Sequence, residues 1–282
     1  MIYLVLSILF STVLYVIFKL FTRFKINTLH AIIVNYIVAL TIGFSVSSIE
    51  INPSVIYHSS WFFGALALGF LFIFIFNIMA VTAQRNGLSV VSVASKMSLV
   101  IPIIFGVLLY NESLNIVKLI GIILALVAVF LASVKSENNI SLKNLFYPVL
   151  LFLGSGIIDT SLKYLEINFV SKESIPMFSA TIFMFAAFAG LLFALFKRDV
   201  KLQWKNLIAG IILGVPNYFS IVFLIKALSV NGIESSTVFT VNNVAIVALS
   251  TLIGLIAFKE KLHLKNRIGI LLAIISILLV VK

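Results

Sequence analysis

The sequence predicts an all-α integral membrane protein with ten transmembrane helices, arranged as two inverted repeats of five helices. Three observations support this fold class: long apolar runs, few charges within them, and an internal repeat. Of the 282 residues, 62% are hydrophobic and 10% are charged, whereas soluble domains carry about 25% charged residues. The composition therefore argues against an ordinary soluble domain.

A helix needs about 20 residues to cross the hydrocarbon core of a bilayer, with a range of roughly 17–25. The chain offers ten apolar candidates, numbered as spans 1 to 10. They are approximately Ile2–Phe18, Leu29–Val46, Trp61–Thr82, Leu88–Leu109, Ile116–Val134, Leu145–Tyr164, Ile175–Phe196, Leu207–Ile225, Ser235–Phe258 and Ile268–Val281. Span 1 has no basic segment before it and no small-residue cleavage site after it, so we interpret it as a retained membrane helix.

The two halves of the chain are similar at an offset of 148 residues. The segment "NESLNIVKLIGIILA" beginning at Asn111 matches "KEKLHLKNRIGILLA" beginning at Lys259 at its Glu, Leu, Gly and Ala positions. Because each half holds five helices, an odd number, the halves must cross the membrane in opposite directions. Inverted repeats of this kind are common in secondary transporters. We assign residues 1–137 to the first repeat and residues 144–282 to the second.

The basic residues lie mostly in the loops. Fourteen of the 20 fall in odd-numbered loops, five fall in even-numbered loops or at the C-terminus, and Lys96 falls within a span. The positive-inside rule then places the odd loops in the cytoplasm and both termini outside the inner, or cytoplasmic, membrane. The net charge of +11 is assigned to contact with anionic lipid headgroups rather than with nucleic acid. Cysteine is absent, which excludes disulfides and thiolate metal sites.

One pattern occurs twice: a small-polar helix start, an apolar run, a Glu and a Gly-rich final helix. It reads "NGLSVVSVASKMSLVIPIIFGVLLYNESLNIVKLIGIILA" and "NGIESSTVFTVNNVAIVALSTLIGLIAFKEKLHLKNRIGILLA". This doubled pattern resembles the EamA-type ten-helix members of the drug/metabolite transporter superfamily. The resemblance implies a secondary transporter of small organic metabolites such as amino acids, often acting in efflux. It also implies a cavity built from spans 1–4 and 6–9, and termini in the cytoplasm, against the charge count.

Spans 5 and 10 are almost free of polar side chains, in agreement with a peripheral position. Gly121-x-x-x-Ala125 and Gly269-x-x-x-Ala273 are small-xxx-small patterns that suit close helix contact. We expect these patterns to pack against a neighbouring helix of the same chain. Dimerisation through this face is the alternative, so the expected state is a monomer or a weak homodimer.

Polar side chains recur at helical spacing on several spans and predict a substrate-binding or coupling site. The assigned residues are Ser11, Tyr15, Asn35, Asn77, Ser92, Lys96, Ser155, Asp159, Asn217, Tyr218, Thr240 and Asn243. A single Ser or Thr can bond to its own helix instead. The alignment of several polar faces favours a shared aqueous or substrate cavity.

Lys96 and Asp159 are the two charges placed well inside spans, where each costs about 2.5–3.5 kcal/mol at a helix centre. Lys96 could bind a substrate carboxylate or phosphate, extend toward the interface, or pair with Asp159. Asp159 could be a protonatable coupling group, or it could pair with Lys163 four residues later. Glu112 and Glu260 are expected to place negative charge at the N-termini of the helices that follow them.

The leading functional prediction is alternating-access transport of a small-molecule substrate across the lipid bilayer, with proton coupling as one possibility. A lipid-carrier flippase and a passive channel of the same fold are the alternatives. His30, His58 and His263 are scattered, and no catalytic or nucleotide-binding motif occurs. We therefore expect no enzymatic activity, no cofactor, no metal and no nucleic-acid partner.

Overall fold

The computed structural model describes residues 2–46, 53–110, 116–133, 142–171, 174–199, 201, 203–228 and 235–280. These residues form α-helices joined by short connections, and the order of the helices follows the predicted spans. The helices are α1 (Ile2–Arg23), α2 (Thr28–Val46), α3 (Pro53–Tyr57), α4 (Phe62–Asn86), α5 (Leu88–Met97), α6 (Val100–Tyr110), α7 (Ile116–Ser133), α8 (Leu142–Phe169), α9 (Ile175–Phe196), α10 (Trp204–Leu228), α11 (Ser235–Ile256) and α12 (Leu264–Val280).

Nine of the ten predicted spans correspond to one helix each, and span 7 has the same bounds as α9. Within the described residues, seven segments are long and apolar enough to cross a membrane, and shorter apolar segments lie in α7 and α11. The short helix α3 was not expected from the sequence. The membrane character of the chain is thus visible in most of its helices.

The predicted span 4 is one apolar segment long enough to cross the membrane, Leu88–Phe105, but its helix is interrupted, which the sequence interpretation did not anticipate. Helix α5 ends at Met97, a turn follows, and α6 begins at Val100. Pro102 causes the break, because it has no N–H for the Ser98 carbonyl and its ring would collide with that group. The Ser98 carbonyl instead accepts from Ile101 N at 2.9 Å, the shorter spacing of a 3₁₀ turn.

The chain divides into two compact units. Unit 1 comprises Met1–Thr22, Ile78–Ile157 and Phe219–Lys282, and unit 2 comprises Arg23–Asn77 and Ile158–Tyr218. Each unit draws residues from both sequence repeats. The repeats and the compact units are therefore different divisions of the same chain.

In unit 1, the equivalent helices α7 and α12 of the two repeats pack antiparallel. Near the start of α7, the Gly121 carbonyl accepts from Ser276 Oγ at 2.7 Å, and near its end the Ala132 carbonyl accepts from Asn266 Nδ2 at 3.0 Å. A Cβ on Gly269 would lie 2.5 Å from the Ala132 backbone nitrogen, so this approach requires glycine. The expectation that the small-xxx-small patterns pack within the chain is confirmed.

In unit 2, the equivalent helices α2 and α9 also pack antiparallel. A Cβ on Gly43 would contact Ala180 at 3.2 Å, whereas a Cβ on Gly190 would lie 2.6 Å from Ile33 Cγ1. Residue 33 of α2 therefore lies beside residue 190 of α9, and residue 43 lies beside residue 180, so the two helices run in opposite directions. Two pairs of repeat-equivalent helices in opposite directions are what an inverted repeat requires.

The N-terminus of α5 is held by the carboxylate of Glu260, which comes from the connection between α11 and α12. Glu260 Oε1 accepts from Leu88 N at 2.7 Å, and Lys19 Nζ lies 3.8 Å from the same oxygen. A Cβ on Gly87 or on Gly254 would come within 2.6 Å of this carboxylate. The two glycines thus leave the space that the carboxylate fills.

The expectation for Glu260 was wrong about which helix its charge serves, because it caps α5 and not the helix that follows it. Sequence proximity suggested α12, but the fold brings the carboxylate to the free N–H groups of a helix in the other repeat. Glu112 lies outside the described residues.

Replacing Glu260 with Ala is expected to destabilise the protein by about 1–3 kcal/mol, since it leaves a buried N–H without an acceptor. Glu260→Gln keeps a carbonyl acceptor and is expected to cost less. The thermal midpoint of the purified protein in detergent measures both effects. Lys261→Ala, at an exposed neighbouring position, is the control, with an expected change within about 0.5 kcal/mol. Equal midpoints for Glu260→Ala and Lys261→Ala would contradict the capping role.

Candidate functional site

Lys96 lies in the last turn of α5, directly before the break in span 4. Its side chain is half-buried, and the described part of the chain gives its ammonium no ion pair or hydrogen bond. The carbonyl groups at a helix C-terminus carry partial negative charge, which stabilises a cation there. An ammonium in this position can therefore bind an anionic group supplied by a ligand.

The two serines that share a helix face with Lys96 are enclosed and already bonded. Ser92 Oγ donates to the Ser89 carbonyl at 3.0 Å, and Ser89 Oγ donates to Glu260 Oε2 at 3.4 Å. Both serines are almost completely buried. Of Ser89, Ser92 and Lys96, only Lys96 has hydrogen-bond donors that no group in the described residues accepts.

The other predicted site residues of unit 1 differ in their exposure. Tyr15, Ser155 and Asn243 are buried, whereas Ser11 is half-buried. Thr240 lies on α11, but its side chain is outside the described part of the chain. Enclosure of the first three side chains is as consistent with packing between helices as with contact to a ligand.

A buried polar cluster in unit 1 was not predicted as a unit from the sequence. Ser7 Oγ lies 3.1 Å from the Ser220 carbonyl and 3.1 Å from Asn242 Oδ1, which joins α1, α10 and α11. The sequence signal for it was the doubled Asn242-Asn243 within an uncharged span. Only the second of these asparagines was assigned to the site, and the first one makes the interhelical contact.

In unit 2, Asn35 is fully enclosed on α2. Its side chain is 0% exposed, and neither Oδ1 nor Nδ2 has a hydrogen-bond partner among the described residues. Burying a polar group without a partner costs about 1–3 kcal/mol in proteins. A ligand or a water molecule that reaches this amide would satisfy it, which makes Asn35 a candidate ligand contact.

Two glycines bring α10 close to α2 beside Asn35. A Cβ on Gly210 would lie 2.4 Å from Val34 Cβ, and a Cβ on Gly214 would lie 3.0 Å from the Asn35 carbonyl oxygen. Asn217 is buried and follows Gly214 by three residues, so it lies on the same face of α10. The close approach therefore brings the α2 backbone at Asn35 next to the α10 segment that carries the buried amide of Asn217.

The remaining predicted residues of unit 2 have more ordinary surroundings. Asn77 Nδ2 donates to the Ile73 carbonyl of its own helix at 2.8 Å, so its amide is partly satisfied. Tyr218 is half-buried near Gly43. Asp159 lies on α8 with an exposed side chain, and Lys163, four residues later, is also exposed. The structure thus places seven predicted site residues in unit 1 and five in unit 2.

No group of three or more His, Asp or Glu side chains within the described ranges could hold a metal ion.

Comparison with known proteins identifies the family. The EamA-like transporter family matches residues 1–134 and 144–282. A protein of Haemophilus influenzae, described as uncharacterized, is 29% identical over an alignment 285 residues long, which covers 97% of this chain and 95% of that protein. One solved crystal structure has the same fold with a TM-score of 0.59 at 14% identity, covering 97% of this chain and 95% of that one. The chain therefore belongs to the EamA-like transporter family and is a multi-pass membrane transporter of the drug/metabolite transporter superfamily.

Proposed function

We propose that this protein is a secondary transporter, acting in efflux, that moves small organic metabolites such as amino acids by alternating access. The observation that carries the proposal is the break in span 4 with Lys96 beside it. Discontinuous helices in secondary transporters end near the middle of the membrane, and their ends contact substrates and coupling ions. Here the break falls where the chain also places a cation.

The proposed substrate carries an anionic group. In this proposal the Lys96 ammonium binds a carboxylate or phosphate oxygen, because charge-assisted hydrogen bonds are the strong ones in an apolar surrounding. The Asn35 amide binds a neutral polar group, since it offers both a donor and an acceptor. The two contacts are independent hypotheses, one on α5 and one on α2.

Two other functions of the same fold remain alternatives, a lipid-carrier flippase and a passive channel. Counterflow into proteoliposomes separates a carrier from a channel, because a carrier gives saturable uptake that is stimulated by substrate on the opposite side. Linear flux without competition would favour the channel. Uptake of a lipid-linked sugar carrier instead of a soluble metabolite would favour the flippase.

We also propose that both termini lie outside the cytoplasm of a cell whose inner membrane holds the protein. The support is the excess of Lys and Arg in the odd-numbered loops. A reporter that is active in one compartment, fused to each terminus in turn, tests the orientation. A cytoplasmic signal from both fusions would show the opposite orientation, with both termini in the cytoplasm.

Replacing Lys96 with Gln is expected to weaken transport of an anionic substrate by about tenfold or more. Hydrogen bonds to charged groups contribute about 1.5–3 kcal/mol, and 1.4 kcal/mol corresponds to tenfold. The substrate is first found by a thermal-shift screen of amino acids, organic acids, nucleosides and cationic drugs, and uptake is then measured in proteoliposomes. Lys261→Gln, at an exposed lysine in the α11–α12 connection, is the matched control. Normal transport by Lys96→Gln would refute the role of the ammonium.

Replacing Asn35 with Leu is expected to raise the thermal midpoint of the ligand-free protein and to reduce its stabilisation by substrate. The reason is that the change removes an amide that has no partner among the described residues, while it retains the same branching at Cγ. Asn266→Leu is the control, because that amide donates to the Leu131 and Ala132 carbonyls and its loss should lower the midpoint. A lower midpoint for Asn35→Leu as well would indicate a structural role.

Asp159 is proposed as the protonatable coupling group. If it is, Asp159→Asn will transport at a rate that no longer responds to an imposed pH gradient, whereas the wild type will respond. Uptake at a series of internal and external pH values measures this dependence. A variant that still follows the gradient would remove Asp159 from the coupling step.

A further inference from the structure

Two loops of unit 2 that are far apart in sequence are joined by hydrogen bonds. In the connection between α1 and α2, Asn27 Nδ2 donates to Asp199 Oδ2 at 2.7 Å, and Asn27 N donates to Asn206 Oδ1 at 2.9 Å. His30 Nε2 donates to the Asp199 carbonyl at 2.7 Å, and His30 is buried. The α1–α2 and α9–α10 connections therefore form one continuous surface.

Two basic residues of this surface adopt a backbone conformation that favours glycine. Arg198 has φ of 55° and Lys25 has φ of 51°. Arg198 occupies the left-handed position that ends α9, and the following Asp199 N donates to the Ala194 carbonyl at 2.9 Å. Glycine would avoid the steric cost of this conformation, yet the chain carries a cationic side chain at both positions. Lys259 in the α11–α12 connection has the same φ of 51°, so the conformation is not specific to this surface.

The surface is strongly positive and its cations are exposed. We define the basic patch as Arg23, Lys25, Lys197, Arg198, Lys201 and Lys205, all with exposed side chains. The one acid in these two segments is Asp199. Its carboxylate accepts from Asn27 and lies 3.4 Å from His30 Nε2, so it is engaged by groups outside the basic patch.

Exposed aromatic side chains lie next to the basic patch in sequence. Phe24 is 60% exposed, Trp204 is 73% exposed and Phe196 is 87% exposed. Trp is enriched at the level of lipid headgroups, where its apolar ring system and its polar N–H can both be accommodated, and the two exposed Phe rings add apolar surface beside the cations. Cations beside exposed rings fit a surface that faces headgroups rather than bulk water.

We propose that the basic patch is a binding site for the phosphate headgroups of anionic phospholipids, which bridge the α1–α2 and α9–α10 connections. Each Lys or Arg near an anionic membrane surface strengthens association by roughly fivefold.

The α11–α12 connection offers a comparison within the same chain. Its exposed Lys259, Lys261 and Arg267 are flanked by the exposed aliphatic Ile256 and Leu264 and not by an exposed Phe, Tyr or Trp ring, since Phe258 there is half-buried.

The test uses the full chain in phosphatidylcholine nanodiscs with and without phosphatidylglycerol as the anionic lipid. The readouts are the thermal midpoint and the number of phosphatidylglycerol molecules retained after mild delipidation. The patch variant is Lys197→Gln, Lys201→Gln and Lys205→Gln together. The control variant is Lys259→Gln, Lys261→Gln and Arg267→Gln together, which removes the same charge.

We expect phosphatidylglycerol to raise the midpoint of the wild type and of the control variant, and to raise that of the patch variant by less than half as much. Retained phosphatidylglycerol should fall in parallel, and added salt should reduce the effect in the wild type. Equal losses in the two variants would overturn the proposal, because net charge alone would then explain the binding. An equal rise with inorganic phosphate in phosphatidylcholine would also overturn it, in favour of a site for soluble phosphate.

Discussion

The bond between Glu260 and the N-terminus of α5 is the interaction on which the arrangement around Lys96 depends. Helix α5 has only ten residues, and a short helix leaves a large share of its backbone N–H groups without internal acceptors. The Glu260 carboxylate satisfies Leu88 N, and Lys19 supplies a positive charge nearby. Glu260 thus fixes the N-terminus of α5. Lys96 lies in the last turn of the same helix, directly before the helix ends.

Inversion of the two repeats follows from helix contacts as well as from the odd number of spans in each half. Helices α7 and α12 are equivalent in the repeats and contact each other through Gly, Ala and Ser at close range in opposite directions. Helices α2 and α9 do the same. The two inverted halves contact each other through equivalent surfaces, and such contacts are self-complementary. The same pattern of small residues therefore suits both helices of a pair.

Much of the fold could be predicted from the sequence because hydropathy records which segments are stable in lipid. Span 7 coincides with α9, and the bounds of α2 and α7 differ from the prediction by a single residue at one end. The break in span 4 could have been anticipated from Pro102, but the apolar run hides it, since hydropathy does not register backbone hydrogen bonds. Glu260 was assigned to the wrong helix because its acceptor role depends on a contact between distant parts of the chain.

The candidate site was less predictable than the fold. Sequence spacing placed Ser92 and Lys96 on one face, yet only the structure distinguishes a serine bonded to its own helix from a lysine with available donors. Asn35 looked like any polar residue in a span, and its significance comes from full burial without a partner in the described residues. Both distinctions concern burial and hydrogen bonding, which a one-dimensional pattern does not contain.

The central claim is that the Lys96 position is open to an aqueous ligand although it lies inside a membrane span. Because the chain has no native cysteine, Lys96→Cys gives a protein with a single thiol whose alkylation by a membrane-impermeant anionic maleimide can be timed. The account predicts labelling at Lys96→Cys that substrate slows, and little labelling at Met97→Cys, because Met97 is 1% exposed. A thiol at position 96 that reacts no faster than the one at position 97 would contradict the account.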